Sequence, residues 1–293
     1  MIPNEVISAV KRIEIKTGKI INSILGGEYA AVFKGNGMEF ADVRKYFEGD
    51  DVRMIDWNVT ARTGEPFIKR NIEERELIVI LMVDVSASGD FGTKKQFKSE
   101  MIAELAALLA FSAIKNNDRV GLLLFSDKIE KFIPPKKGKK SVLALIRELL
   151  YFKPTSKKTD ISQALAHISR IQKKKAVIFC ISDFIDNSKN FEKLLSVAAR
   201  RHDFIAISVD DPRESELPNV GLLQIFDAEK RERILVDTGS KKFREHFKNE
   251  QLRKKENLLR LFSAKKIDNI PLSTISGYIE PLIKFFKQRE KRR

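Results

Sequence analysis

Asp84, Ser86 and Ser88 stand as Asp-x-Ser-x-Ser directly after the apolar run Leu77 to Val83. One carboxylate and two hydroxyls so close together form a set of hard oxygen donors, the kind that Mg²⁺ or Mn²⁺ prefers. The run before them is unbroken and rich in β-branched residues, the pattern of a parallel strand covered on both faces. Asp84 is therefore expected at a strand's carboxyl end, where open α/β sheets take their ligands. A second aspartate, Asp183, follows the apolar run Ala176 to Ile181 and Ser182, and Thr159 precedes a further helical pattern. In the common doubly wound order the first strand lies beside the fourth, which sets Asp84 and Asp183 on either side of the crevice where the winding reverses. Thr159, at a loop tip, is placed to reach the same point. The expected metal ligands are Asp84, Ser86, Ser88, Thr159 and Asp183, holding Mg²⁺ or Mn²⁺.

This mixture has a chemical consequence. Neutral hydroxyls leave a divalent cation less neutralised than a cage of carboxylates does, so the ion retains affinity for one more anionic oxygen. A partner's Asp or Glu side chain suits that position. Taken singly, the parts are weak: Asp-x-Ser-x-Ser arises by chance in on the order of one average chain in ten of this length. Thr159 alone reads as a helix N-cap, and Asp183 alone as a turn former. Their joint placement at strand ends carries the reading. Asp160 is left out of the ligand set, because a carboxylate in a helix's first turn is accounted for by the helix dipole.

Strands and helices alternate along most of the chain. Helical patterns are expected at Thr93 to Lys115, Ser141 to Tyr151, Asp160 to Ile171, Phe191 to Arg200, Lys241 to Ala264 and Tyr278 to Gln288. Strands are expected at Arg119 to Phe125, Glu130 to Ile133 (stopped by Pro134 and Pro135), Ala176 to Ser182, Phe204 to Val209 and Ile270 to Thr274. This rhythm means an α/β fold with a doubly wound, mostly parallel sheet. Leu222 to Phe226 and Arg233 to Val236 interrupt it as a hairpin inserted at about 212–237. Ahead of the sheet, Asn4 to Leu25 reads as one amphipathic helix, with Asn4 as cap and Gly26-Gly27 as stop. Val52 to Ala61 and Pro66 to Glu73 read as two strands of a hairpin turned at Arg62 to Glu65. The organisation is thus an N-terminal attachment over 1–75 and an α/β domain over 76–293. Trp57, the only tryptophan, sits with Asp50, Asp51, Arg53 and Asp56. It either faces a partner or docks the attachment on the domain, and its large apolar area favours docking.

Composition narrows the function further. In 293 residues with 43% hydrophobic content there is a single cysteine, Cys180. No disulfide framework or thiolate zinc site follows, and a reducing, cytoplasmic setting is expected. The first twenty residues carry Lys11, Arg12 and Lys16 and no continuous apolar stretch, so neither a secretory signal nor a membrane span is expected. The net charge of +15 is spread over the chain, densest around Lys136 to Lys140 and in the tail from Lys287. Without a nucleic-acid motif it reads as solvated surface, with at most weak contact to acidic surfaces. No Gly-x-x-x-x-Gly-Lys-Ser/Thr run or Gly-x-Ser-x-Gly elbow occurs, and His167, His202 and His246 lack zinc spacing. The rival reading is a metal-dependent nuclease or phosphohydrolase using Asp84, Asp183, Asp210 and Asp211; hydroxyls in place of carboxylates argue against the second ion it needs. A basic scaffold on nucleic acid or membrane is the other alternative, with binding that would fall with salt and ignore chelator.

Asp84-x-Ser86-x-Ser88, then Thr159, then Asp183 resembles the metal-ion-dependent adhesion site of von Willebrand factor type A domains. Gly49-Asp-Asp-Val-Arg-Met-Ile-Asp-Trp-Asn-Val-Thr-Ala-Arg62, the Glu74-Arg-Glu76 lead-in and the Asp84 to Ser88 segment resemble the bacterial domain-of-unknown-function fifty-eight family over nearly the whole chain. The chain departs at Gly89, where relatives carry a larger residue; no ligand is lost by it. The resemblance implies a non-enzymatic adaptor that works beside a MoxR-type AAA+ ATPase, binding that ATPase or its client through the metal.

Overall fold

The computed structural model describes residues 4–21, 29, 32–33, 37–74, 76–86, 98–156, 158–185, 188, 190–212, 217–227 and 232–292. In chain order its elements are α1 (Asn4–Ile20), β1 (Gly37–Lys45), α2 (Trp57–Thr63), β2 (Phe67–Glu74), β3 (Ile78–Asp84), α3 (Lys98–Lys115), β4 (Arg119–Phe125), β5 (Ile129–Lys136) and α4 (Lys139–Tyr151). They continue with α5 (Ile161–Ile171), β6 (Val177–Ser182), α6 (Phe191–Arg201), β7 (Asp203–Asp210), β8 (Leu222–Asp227), β9 (Glu232–Asp237), α7 (Lys241–Ala264), β10 (Asp268–Ser273) and α8 (Ile279–Lys291).

Six strands form the central sheet in the order β10-β7-β6-β3-β4-β5. Every neighbouring pair is parallel except β4 with β5. From β3 the chain winds outward through β4 to β5, then returns to β6 and winds the other way through β7 to β10. The reversal lies between β3 and β6, as the doubly wound order requires. Its register pairs Val83 with Ile181, so Asp84 and Ser182 end their strands side by side, with Asp183 one step beyond.

Both faces of β3 are covered, which explains why its sequence does not alternate in polarity. Val79, Leu81 and Val83 pack on one side with residues of α1, α3, α4 and α8. Ile80 and Met82 pack on the other with α5, α6 and the Phe262 end of α7. Helix α1 presents Val10 and Ile13 to the first of these cores, and Lys16 pairs with Glu104 of α3 at 2.6 Å. The predicted continuation of α1 to Leu25 and its Gly26-Gly27 stop lie outside the described residues, as do Thr93 and Ser88.

Three expectations are corrected. The strand expected at Pro66 to Glu73 is β2, but its antiparallel hairpin partner is β1 rather than Val52 to Ala61. Asp51 caps a short 3₁₀ turn over Val52–Met54, and the Asp56 carboxylate accepts from the Asn58 and Val59 N–H groups to start α2. Gly64, with φ 75°, ends α2 in the left-handed conformation that glycine adopts without steric cost. Second, β5 runs through Pro134 and Pro135 instead of stopping before them. It is the outer strand of the sheet, and its register slips between the Val120 and Leu122 pairs, so the missing proline N–H groups interrupt little. Gly121 permits the close approach there, since a Cβ on it would lie 3.0 Å from the Ile133 carbonyl oxygen. Third, Trp57 does not dock: it is 70% exposed, in a segment that also exposes Phe47 and Val52. Asp50 and Arg44 organise this segment instead, through a two-pronged ion pair with both contacts at 2.8 Å.

Candidate functional site

Asp84 ends the central strand almost completely enclosed, at 6% exposure. Its Oδ1 accepts the Ser86 N–H at 2.9 Å and its Oδ2 accepts the Ser182 hydroxyl at 2.8 Å. The Ser86 N–H bond brings two of the predicted ligands together, and the Ser86 side chain also favours the ionised Asp84 carboxylate. Burial and then the charge of Asp183 raise the Asp84 pKa to about 6, against the opposing pull of the Ser86 and Ser182 bonds. Two carboxylates thus interact unfavourably at the winding reversal, and a cation between them would relieve both the desolvation and the repulsion.

Asp183 is half-buried, and its Oδ1 accepts the Ile185 N–H at 3.1 Å. The next residue, Phe184, has φ 56°, a left-handed conformation unusual for a non-glycine residue. Two contacts hold it there. Its N–H donates to the Ser182 hydroxyl at 3.0 Å, and its ring packs edge-on against Phe262 with centroids 5.2 Å apart. Ser182 therefore orients Asp84 with its hydrogen and fixes the turn after Asp183 with its oxygen. Sequence reasoning passed over Ser182, although its place between strand end and aspartate was visible. Nothing in the sequence signals the backbone of Phe184.

Thr159 reaches this end of the sheet through β4. Phe125 pairs with Asp84 across the sheet and accepts the Val85 N–H at 2.9 Å. The next carbonyl, that of Ser126, accepts the Asp160 N–H at 3.0 Å. Asp160 is the N-cap of α5, its carboxylate accepting the Gln163 N–H at 3.3 Å, so its role is the local one expected of it. The half-buried Thr159 is thereby tethered beside the strand neighbouring Asp84. Ser88 lies outside the described residues.

Among the described residues no group of three or more His, Cys, Asp or Glu side chains gathers where it could hold a metal ion. An ion at Asp84 and Asp183 must accordingly draw on hydroxyl oxygens too. That donor set, all hard oxygen, fits Mg²⁺ or Mn²⁺ and does not fit a soft metal. The other aspartates of the nuclease reading are engaged elsewhere. Asp210 pairs with Lys255 of α7, and the fully buried Asp211 accepts the Thr274 hydroxyl at 2.7 Å. Among the described residues no helix is long and apolar enough to cross a membrane.

Comparison with known proteins finds relatives in sequence and in structure. An uncharacterized protein of Mycobacterium tuberculosis is 33% identical over 224 residues, covering 76% of this chain and 70% of its own length. An uncharacterized protein of Mycobacterium avium is 24% identical over 163 residues, covering 54% of this chain and 94% of the relative. Among solved structures, the conserved hypothetical protein BatB from Bacteroides thetaiotaomicron superposes with a TM-score of 0.49 at 16% identity, covering 73% of this chain and 99% of BatB. The SpRpn10 VWA domain gives a TM-score of 0.41 at 12% identity, covering 71% of this chain and 94% of that domain. The profile described as "Protein of unknown function DUF58" matches residues 42–257. The chain belongs to the DUF58 family.

Proposed function

We propose that this protein is a non-enzymatic protein-interaction module whose Mg²⁺, held by Asp84, Ser86, Ser88, Thr159 and Asp183, accepts an acidic side chain from a partner protein. The observation that carries the reading is the pairing of two carboxylates at the ends of adjoining strands, β3 and β6, where the sheet's winding reverses. Buried Asp84 has its carboxylate oriented by Ser86 and Ser182, so this one of the proposed ligands is held in place by the chain itself. The ion supplies Lewis-acid attraction for an incoming carboxylate; the protein supplies orientation and a partly dry surround that strengthens it.

A MoxR-type AAA+ ATPase, or a client of one, is the partner implied by the family resemblance of the Gly49 to Arg62 motif. In this reading ATP hydrolysis belongs to the ATPase, and the present chain brings the substrate to it. The test is affinity capture with a candidate ATPase in Mg²⁺ and in chelator, using wild type and Asp84→Ala. Retention that requires Mg²⁺ and is lost in Asp84→Ala is expected. Equal retention in all arms defeats the metal-bridged reading, and Mg²⁺-dependent cleavage of nucleic acid by the purified chain would replace it with the nuclease.

A further inference from the structure

We propose that Glu130, on the edge strand β5, is the positioning residue that holds Thr159 at the metal site; this rests on the reading of that site given above. Glu130 belongs to no motif, yet its half-buried carboxylate gathers four donors. Oε1 accepts the Ser126 hydroxyl at 2.8 Å and the backbone N–H groups of Thr155 and Ser156, each at 3.1 Å. Oε2 accepts the Thr155 hydroxyl at 2.7 Å. These bonds act on the loop that leads from α4 to α5, and the loop's other end is fixed by the Asp160 N–H on the Ser126 carbonyl. Thr159 lies between the two tethers.

Both tethers meet at Ser126, which is fully buried and directly follows Phe125, the strand neighbour of Asp84. The Ser126 side chain is held by Glu130 and its carbonyl holds Asp160. A displacement of Glu130 is therefore transmitted to Thr159 by two short routes, one through 155–156 and one through Ser126. Charge strengthens the arrangement, because an ionised carboxylate makes stronger bonds than a neutral acceptor. Burial pushes the Glu130 carboxyl up, and the bonds from Thr155, Ser126 and Ser156 together outweigh it and hold the group below its usual range. Groups that orient metal ligands from outside the coordination sphere affect affinity strongly, by about 10- to 100-fold when removed.

The proposal makes Glu130 act through Thr159 and through nothing else at the site, which a double-mutant cycle resolves. Mn²⁺ affinity is measured by electron paramagnetic resonance on the full chain for wild type, Glu130→Ala, Thr159→Ala and the double variant, with circular dichroism confirming that each is folded. Glu130→Ala is expected to weaken Mn²⁺ binding about tenfold. The same substitution in the Thr159→Ala background is expected to change affinity less than about twofold, because the residue it positions is already gone. Ser126→Ala removes one of the four bonds and serves where Glu130→Ala does not fold; a partial loss, again vanishing without Thr159, is expected. Unchanged affinity in Glu130→Ala, or an equal loss with and without Thr159, overturns the proposal and leaves the metal site standing. A wild type that takes up no Mn²⁺ overturns the site itself, and Glu130's role with it.

Discussion

Replacing Asp84 by Asn separates what the carboxylate does for folding from what it does for a metal. In the metal-free protein the Asp84 pKa is raised from 3.8 to about 6, chiefly by burial and next by Asp183. The folded state thus binds a proton at Asp84 more tightly than the unfolded chain does. The sign follows from linkage: Asp84 favours folding most below about pH 4, this advantage fades as pH rises towards 6, and above 6 the full cost of burying the charge remains. A shift of roughly two units corresponds to about 3 kcal/mol. Asn removes the charge and keeps an oxygen for the Ser86 N–H, while the Ser182 hydroxyl must turn to accept from the new amide. In EDTA at pH 7.5, Asp84→Asn should be more stable than wild type by about 1 to 3 kcal/mol in urea unfolding. Mg²⁺ at a hundred times its dissociation constant should then stabilise wild type by about 2.7 kcal/mol and leave the variant unmoved. A variant less stable than wild type in EDTA, or equal stabilisation of both by Mg²⁺, would refute the reasoning.

Asp118, at the opposite end of β4 from Phe125, offers a second pH test away from the proposed metal site. It is buried, accepts the Leu77 N–H at 2.8 Å and the Tyr29 hydroxyl at 3.2 Å, and burial raises it to about 6. Its contribution to stability should fall as pH rises from about 4 to 6, so unfolding curves of wild type and Asp118→Asn should diverge in favour of the variant over that window. Parallel curves would contradict this. Trp57→Ala should change unfolding free energy by less than about 0.5 kcal/mol, since the side chain is solvent-exposed; a loss of several kcal/mol would mean that it docks after all. Phe184→Ala should cost about 3 to 5 kcal/mol by urea titration, because it empties the contact with Phe262; a neutral result would show that the turn after Asp183 does not depend on that packing.

The alternating strands and helices were legible because buried parallel strands write themselves as apolar runs. Arg119 to Phe125 and Lys241 to Ala264 appear with the predicted bounds. The placement of Asp84 and Asp183 at the ends of adjoining strands followed from strand order, a topological regularity needing no side-chain detail. Elsewhere local chemistry misled. Val52 to Ala61 alternates enough to suggest a strand, yet the Asp51 and Asp56 caps and Gly64 stop give helical turns, and that capping signal was present in the sequence. Pro134 and Pro135 suggest a strand end, and only knowledge that β5 is an edge strand removes the objection. Trp57 was expected to be buried on size alone, but the Arg44–Asp50 pair organises its segment without that burial. The roles of Ser182 and Glu130 depend on partners as far off as Asp84 and Thr155, which a linear pattern does not show.

The central claim is that Asp84, its hydroxyl neighbours and Asp183 hold a divalent ion. It is tested most directly by anomalous scattering from crystals grown with Mn²⁺. One peak is predicted, bonded to oxygens of Asp84, Ser86, Ser88, Thr159 or Asp183 at about 2.0 to 2.3 Å, with room for an external oxygen. No peak at the β3–β6 crevice at millimolar Mn²⁺, or a peak held by other residues, would contradict it.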